Sequence, residues 1–67
     1  MPNKKVVGER LRMLRGSRTQ AEVAKSLNVS ENAVSLWERG KRMPSDTMKV
    51  KISTYFRKSV TAIFFRD

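Results

Sequence analysis

Four side chains between residues 31 and 36 have the spacing and the chemistry to contact the edges of base pairs. At roughly 100° per residue, one side of a helix, which we call the outer face, carries Glu31, Asn32, Ser35 and Leu36. Asn32 can pair with N6 and N7 of adenine, and Glu31 can accept a hydrogen bond from N4 of cytosine. Ser35 can donate or accept, and Leu36 can contact a thymine methyl group. The competing interpretation is an ordinary solvated helix surface.

The opposite side of the same helix is apolar and carries Ala33, Val34 and Trp37. We expect it to pack on Val23 and Leu27 of a preceding helix and so to orient the outer face. Trp37 has the chemistry of a stacking platform for single-stranded nucleic acid, but its inner position predicts a core residue. No Lys or Arg lies on the outer face.

Residues 19–40 are predicted to form two short helices joined by a tight turn. Thr19 and Glu22 have the spacing of a capping box at the start of the first of these helices. Asn28 follows at the turn, because asparagine tolerates the left-handed conformation of a sharp helix exit. Ser30 is the expected N-cap of a helix over residues 31–39, and Gly40 lies just past its end.

Three further helices are predicted from apolar residues at helical spacing. The first covers residues 5–15 and is ended by Gly16, the fourth has Ser45 as its N-cap, and a short fifth has Ser59 as its N-cap. Their apolar residues are Val7, Leu11 and Leu14, then Met48, Ile52, Tyr55 and Phe56, and finally Val60, Ile63 and Phe64. The expected fold is all-α with five helices, a flexible N-terminal arm at residues 1–4 and a single domain over residues 5–67.

Lys and Arg outnumber Asp and Glu by 15 to 6, and the net charge of +9 predicts attraction to a polyanion such as nucleic acid. Residues 1–18 contain six basic residues and one acidic residue, and residues 39–58 contain seven and one. Between them, residues 19–38 contain one lysine and three glutamates. This distribution is typical of a protein that contacts backbone at its edges and recognises sequence in the middle. Charge alone also fits a protein that is simply basic.

The chain has no cysteine and no histidine, so it lacks disulfides, thiolate metal ligands and the commonest general base. No nucleophile–base pair is visible, and we expect no enzyme activity, no metal and no cofactor. No apolar run approaches the roughly 18 residues that span a bilayer. The N-terminus lacks the apolar segment of a signal peptide, so the cytoplasm is the expected location. Several short capped helices also argue against a cationic membrane-surface peptide.

An ordered set of residues resembles the lambda-repressor-like, Cro-type helix-turn-helix family over about residues 6–65. The matching residues are Gly8-Glu9-Arg10-Leu11, Leu14-Arg15, Thr19-Gln20, Glu22-Val23-Ala24, Leu27, Val29-Ser30, Ala33-Val34-Ser35, Trp37-Glu38-Arg39-Gly40-Lys41, Pro44-Ser45, Lys51-Ile52-Ser53, Ser59-Val60 and Ile63-Phe64. No single pair of matching residues is specific to the family, but their order over about sixty residues is a strong signal.

The resemblance implies a five-helix domain that binds operator DNA, usually as a dimer. It places Gln20 on a backbone phosphate, pairs Arg15 with Glu38, and assigns base reading to the outer face. Basic residues that follow the third helix are expected to meet phosphates as well. The complete set of predicted phosphate contacts is Gln20, Arg18, Ser30, Arg39, Lys41 and Arg42.

Three positions depart from the family pattern. The connection Gly16-Ser17-Arg18 is shorter than the common form, which leaves the Arg15–Glu38 pair open. Asn28 replaces the usual glycine at the turn. Lys58 replaces an apolar residue before Ser59, so the final turn is expected to pack less tightly or to bury only the lysine stem.

The resulting hypothesis is a sequence-specific regulator of transcription, most simply a repressor that binds a palindromic operator as a homodimer. Residues Ile63, Phe64 and Phe65 are either core or a dimer contact. No membrane and no small-molecule ligand are expected as partners. The alternatives are an antitoxin that binds both DNA and a toxin, and an adaptor with a vestigial motif.

Overall fold

The computed structural model describes residues 2–67 and has the all-α class predicted from the sequence. No strand occurs among these residues. The five helices are α1 (Lys4–Arg15), α2 (Gln20–Leu27), α3 (Glu31–Glu38), α4 (Asp46–Phe56) and the π-helix Thr61–Phe65, labelled α5. Met1 of the predicted arm lies outside the described residues. The rest of the arm is partly ordered, because α1 begins at Lys4, one residue earlier than predicted, and the Asn3 side chain accepts a hydrogen bond from the Val6 N–H.

The three predicted N-caps of the central helices are confirmed. The hydroxyls of Thr19, Ser30 and Ser45 each accept a hydrogen bond from the backbone N–H three residues later, at 3.0 to 3.2 Å. Ser59 makes the same contact with the N–H of Ala62 at the start of the terminal segment. Each hydroxyl satisfies a backbone donor that has no partner within its own helix.

The observed helix ends confirm the predicted turn between α2 and α3, and they make α3 one residue shorter than predicted. Asn28 adopts the left-handed conformation, with φ 59° and ψ 46°. The last residue of α3 is Glu38, because Arg39 has φ −83° and ψ 0° and Gly40 has φ 71°. Arg57 is also left-handed, with φ 58°, although arginine has no intrinsic preference for that conformation.

The buried core combines residues of all five helices: Val7, Leu11, Val23, Ala24, Leu27, Val34, Trp37, Ile52, Ile63 and Phe64. Helix α3 packs against α1 and α2, while α4 packs against α2 and α5 against α1. Trp37 is only 6% exposed and is therefore a core residue, as predicted. Burial of this apolar surface is the main stabilising contribution to the fold.

Basic side chains attach the later helices to the earlier ones. Arg10 of α1 donates to the carbonyl oxygens of Ala62 and Ile63 in α5, and the Lys51 ammonium donates to Leu27 O at the end of α2. A cation near a helix C-terminus is favourable because the carbonyl ends carry partial negative charge. Lys58 is exposed, and Phe64 is nevertheless buried to 1% exposure, so the terminal segment packs closely despite the lysine.

Candidate nucleic-acid interface

The N-terminal end is the most accessible part of α3. Glu31 and Asn32 are exposed, and Ser35 and Leu36 are half-buried one turn later. Val34 and Trp37 lie in the core on the other side. The structure therefore brings the four residues of the predicted outer face together on one accessible side of α3.

The C-terminal end of α3 is fixed by a hydrogen-bonded network around Glu38. The Arg15 guanidinium binds both carboxylate oxygens, with Nε 2.7 Å from Oε2 and Nη2 3.0 Å from Oε1. The Gln20 amide donates to Oε1 at 3.1 Å. The Glu38 side chain is only 5% exposed. One carboxylate thus connects α1, α2 and α3, and the pair implied by the resemblance is present.

The short connection between α1 and α2 accommodates this pair because Arg15 also closes the connection. Its Nη1 donates to Arg18 O at 2.8 Å, and the Gly16 N–H donates to Arg12 O. The hydrogen bond to Glu38 raises the pKa of Arg15 above its usual value, against the opposing effect of burial. Arg15 therefore remains charged at physiological pH and pairs with the Glu38 carboxylate as a cation.

Gln20 lies at the first turn of α2, where a phosphate contact was predicted. One of the two protons on its amide nitrogen is used by Glu38, and the second remains for an external acceptor. Backbone N–H groups at the same helix start can support an anion. The network therefore fixes the orientation of the Gln20 side chain at the start of α2.

Glycines allow α1 and α3 to approach each other at the level of the backbone. A Cβ atom on Gly8 would lie 2.5 Å from Trp37 O and 2.6 Å from Glu38 O. A Cβ atom on Gly40 would lie 2.9 Å from the Cα of Lys5. From the sequence, Gly8 was named as a residue that matches the family but was given no packing role, although a glycine inside a predicted helix is a signal for close packing.

The predicted phosphate-contacting residues are not equivalent in the structure. Lys41 and Arg42 are exposed in the loop after α3, and Ser30 is exposed at its start. The Arg18 guanidinium instead donates to Leu14 O and lies 5.6 Å from the ring centre of Tyr55 and 5.7 Å from that of Phe56. Arg18 thus covers aromatic surface with part of its charge accessible.

Arg39 changes the electrostatics expected for the outer face. Its Nε donates to the Ser35 hydroxyl at 3.1 Å, so the guanidinium extends back along α3. The four positions of the outer face carry no Lys or Arg, but Arg39 brings a guanidinium next to one of them. From the sequence, Arg39 was grouped with the basic residues that follow the helix, although it comes four residues, about one helical turn, after Ser35.

Within residues 2–67, no helix has the length and apolar character needed to cross a membrane. The same residues contain no cluster of three or more side chains suited to hold a metal ion. A family model described as Helix-turn-helix matches residues 9–63, which is most of the chain. No curated protein and no solved structure matches the chain significantly.

Proposed function

Because the chain belongs to the lambda-repressor-like helix-turn-helix family of DNA-binding transcription regulators, we propose that it recognises a specific operator through the outer face of α3. The observation that carries this proposal is the accessibility of Glu31 and Asn32 on a helix whose opposite side is buried in the core. An amide and a carboxylate at the start of such a helix can read adenine and cytosine in the major groove. Ser35 and Leu36 would contact the adjacent bases.

The phosphate contacts proposed for the flanks divide into two groups. Gln20 and Ser30 stand at the starts of α2 and α3, where side chains and backbone N–H groups can bind an anion. Lys41 and Arg42 follow α3 in an exposed loop, and Arg18 lies before α2 with its guanidinium partly engaged. These contacts would supply affinity that depends on salt and not on sequence.

A homodimer that represses transcription from a palindromic operator in the cytoplasm is the fullest form of the proposal. Two copies of α3 would lie about 34 Å apart, one turn of DNA, in a symmetric complex. Ile63 and Phe64 are buried in the monomer, whereas Phe65 is 39% exposed and is the residue of the terminal segment that remains for a contact between copies. No catalytic step, cofactor or small-molecule ligand forms part of this function.

Selection of bound sequences from random duplexes tests the proposal directly. We expect a palindromic consensus with half-sites one helical turn apart. Binding that depends only on salt and yields no consensus would exclude sequence-specific regulation. Analytical ultracentrifugation of the protein with a selected duplex should give two protein chains per site, and a single chain per complete site would exclude the dimer.

Asn32→Ala and Arg42→Ala form a matched pair for the two classes of contact. Asn32→Ala should remove the preference at one position per half-site, at a cost of about 1–3 kcal/mol for the preferred base. Arg42→Ala should weaken all sequences alike and reduce the salt dependence of binding. A changed consensus for Arg42→Ala would contradict this assignment of roles.

Purification of the chain from its native cells distinguishes the proposed regulator from the antitoxin alternative. A protein partner recovered at fixed stoichiometry, which releases DNA or is inhibited by this chain, would support an antitoxin. We expect recovery of the chain with its own copies and DNA only.

A further inference from the structure

The Arg39 side chain is hydrogen-bonded to a residue of the outer face. Its Nε donates to Ser35 Oγ at 3.1 Å, across one helical turn. Arg39 is exposed and Ser35 is half-buried, so the hydrogen bond lies at the surface. An arginine side chain that is free in solution loses substantial conformational entropy when it binds. The loss on binding is smaller when a hydrogen bond within the protein already restricts the guanidinium.

The hydrogen bond places the guanidinium beside Ser35, on the outer face of α3. Counting from Glu31 at roughly 100° per residue, Ser35 lies near 40°, Arg39 near 80° and Asn32 near 100°. Arg39 therefore extends back along α3 between the angular positions of Ser35 and Asn32. In the described part of the chain, Lys41 and Arg42 have no comparable side-chain bond to α3, and they remain available for the backbone.

The part of Arg39 that remains free fits one base particularly well. With Nε occupied by Ser35, the Nη1 and Nη2 groups still present parallel N–H donors in a plane. Guanine offers two neighbouring acceptors, O6 and N7, on its major-groove edge, and bidentate binding by arginine is the commonest specific contact to it. Ser35 accepts from Arg39 and keeps its own hydroxyl proton for a second acceptor.

We propose that Arg39 is a base-reading residue that binds O6 and N7 of a guanine in each half-site, and that Ser35 positions it. This inference rests on the proposed function and moves Arg39 from the phosphate contacts predicted from the sequence to the residues that determine specificity. It also provides a positive group for a face that otherwise carries a carboxylate, an amide and a hydroxyl.

Selection from random duplexes with Arg39→Ala, Arg39→Gln and the wild type tests the assignment. The wild type should select guanine at one position per half-site that differs from the position affected by Asn32→Ala. Arg39→Ala should lower discrimination there by about tenfold to a hundredfold and leave the other positions unchanged. Arg39→Gln should select adenine at the same position, because glutamine pairs with N6 and N7 of adenine.

Lys41→Ala is the matched control, and it should weaken binding to all sequences alike. If Arg39→Ala behaves in the same way, with an unchanged consensus and a salt slope reduced by about one, Arg39 binds a phosphate and the inference is overturned. The proposed function would then stand, because the wild type would still select a consensus. Failure of the wild type to select any consensus would overturn both.

The positioning role of Ser35 is tested by a change in base preference, which a general loss of DNA affinity would not produce. Ser35→Ala should reduce the guanine preference at the position read by Arg39, and Ser35→Thr should restore it because the hydroxyl remains. Circular dichroism should show unchanged helicity for both variants. Equal guanine preference in Ser35→Ala and the wild type would overturn the positioning role.

Discussion

The two ends of α3 are built in opposite ways. At the N-terminal end, Glu31 and Asn32 are exposed, and a single side-chain cap from Ser30 supports the backbone. At the C-terminal end, Trp37 is 6% exposed and the Glu38 side chain 5%, and both lie against α1. One end of the same short helix therefore faces solvent, while the other is fixed by contacts with α1 and α2.

This difference shows how a small domain can separate stability from recognition. The fixed end carries the contacts that break cooperatively when the fold unfolds, so changes there are expected to cost free energy of unfolding. The exposed end contributes little to stability, so its residues can change with the target sequence at low cost. A rigid support with exchangeable side chains is what base reading requires, since a hydrogen bond to a base edge needs defined geometry.

The largest effect is expected from Arg15→Met at the fixed end. The substitution keeps apolar packing but leaves the nearly buried Glu38 carboxylate with Gln20 as its side-chain partner. We expect a loss of about 3 kcal/mol in the free energy of unfolding, measured by urea denaturation. Glu38→Gln should cost less because it removes the buried charge, and the double variant should cost less than the sum. A loss below that of Glu38→Gln would contradict this account of the network.

A somewhat smaller loss is expected for Gly8→Ala, which tests the backbone contact between α1 and α3. Helix propensity alone predicts a gain of about 0.5–1 kcal/mol from this change. Since the added methyl would lie 2.5 Å from Trp37 O, we expect a loss of about 1–3 kcal/mol instead. The neighbouring exposed Glu9→Ala serves as the control and should change stability by less than about 0.5 kcal/mol. A gain for Gly8→Ala would show that the helices can separate freely.

At the exposed end, Ser30→Ala is expected to have a moderate effect. The Ser30 hydroxyl accepts from the Ala33 N–H at 3.0 Å, and its removal leaves this donor only the Ser30 carbonyl oxygen, at 3.1 Å. We expect a loss of about 1 kcal/mol in thermal or urea unfolding without DNA. Ser30→Asp should retain most of the stability, because aspartate is an equally good N-cap. If both variants lose the same amount, the hydroxyl bond is not the cause.

The smallest effect on stability is expected for Asn32→Ala. Asn32 is exposed and forms none of the side-chain hydrogen bonds observed in the described part of the chain. We expect the free energy of unfolding to change by less than about 0.5 kcal/mol, even though the same variant should lose a base preference. A loss comparable to that of Gly8→Ala would remove the contrast between the two ends.

Local features of the fold were predictable from the sequence. The N-caps at Thr19, Ser30 and Ser45 and the left-handed Asn28 depend on contacts within a few residues, and all of them are confirmed. The inner position of Trp37 followed from helical spacing, which is also a local property. The left-handed Arg57 at the end of α4 was not foreseen, because arginine carries no preference for that conformation.

The sequence by itself determined the five helical segments, their caps and the sides of α3, since each depends on spacing along the chain. Only the tertiary structure decided that Glu38 accepts hydrogen bonds from both Arg15 and Gln20 and that Gly8 allows α3 to approach α1 closely. It also decided that the Arg39 side chain donates to Ser35. The first two depend on the distance between helices that are far apart in sequence. The third depends on which of several rotamers a long side chain adopts. The outer face is thus fixed by local spacing, whereas its support and its positive charge arise from packing and rotamer choice.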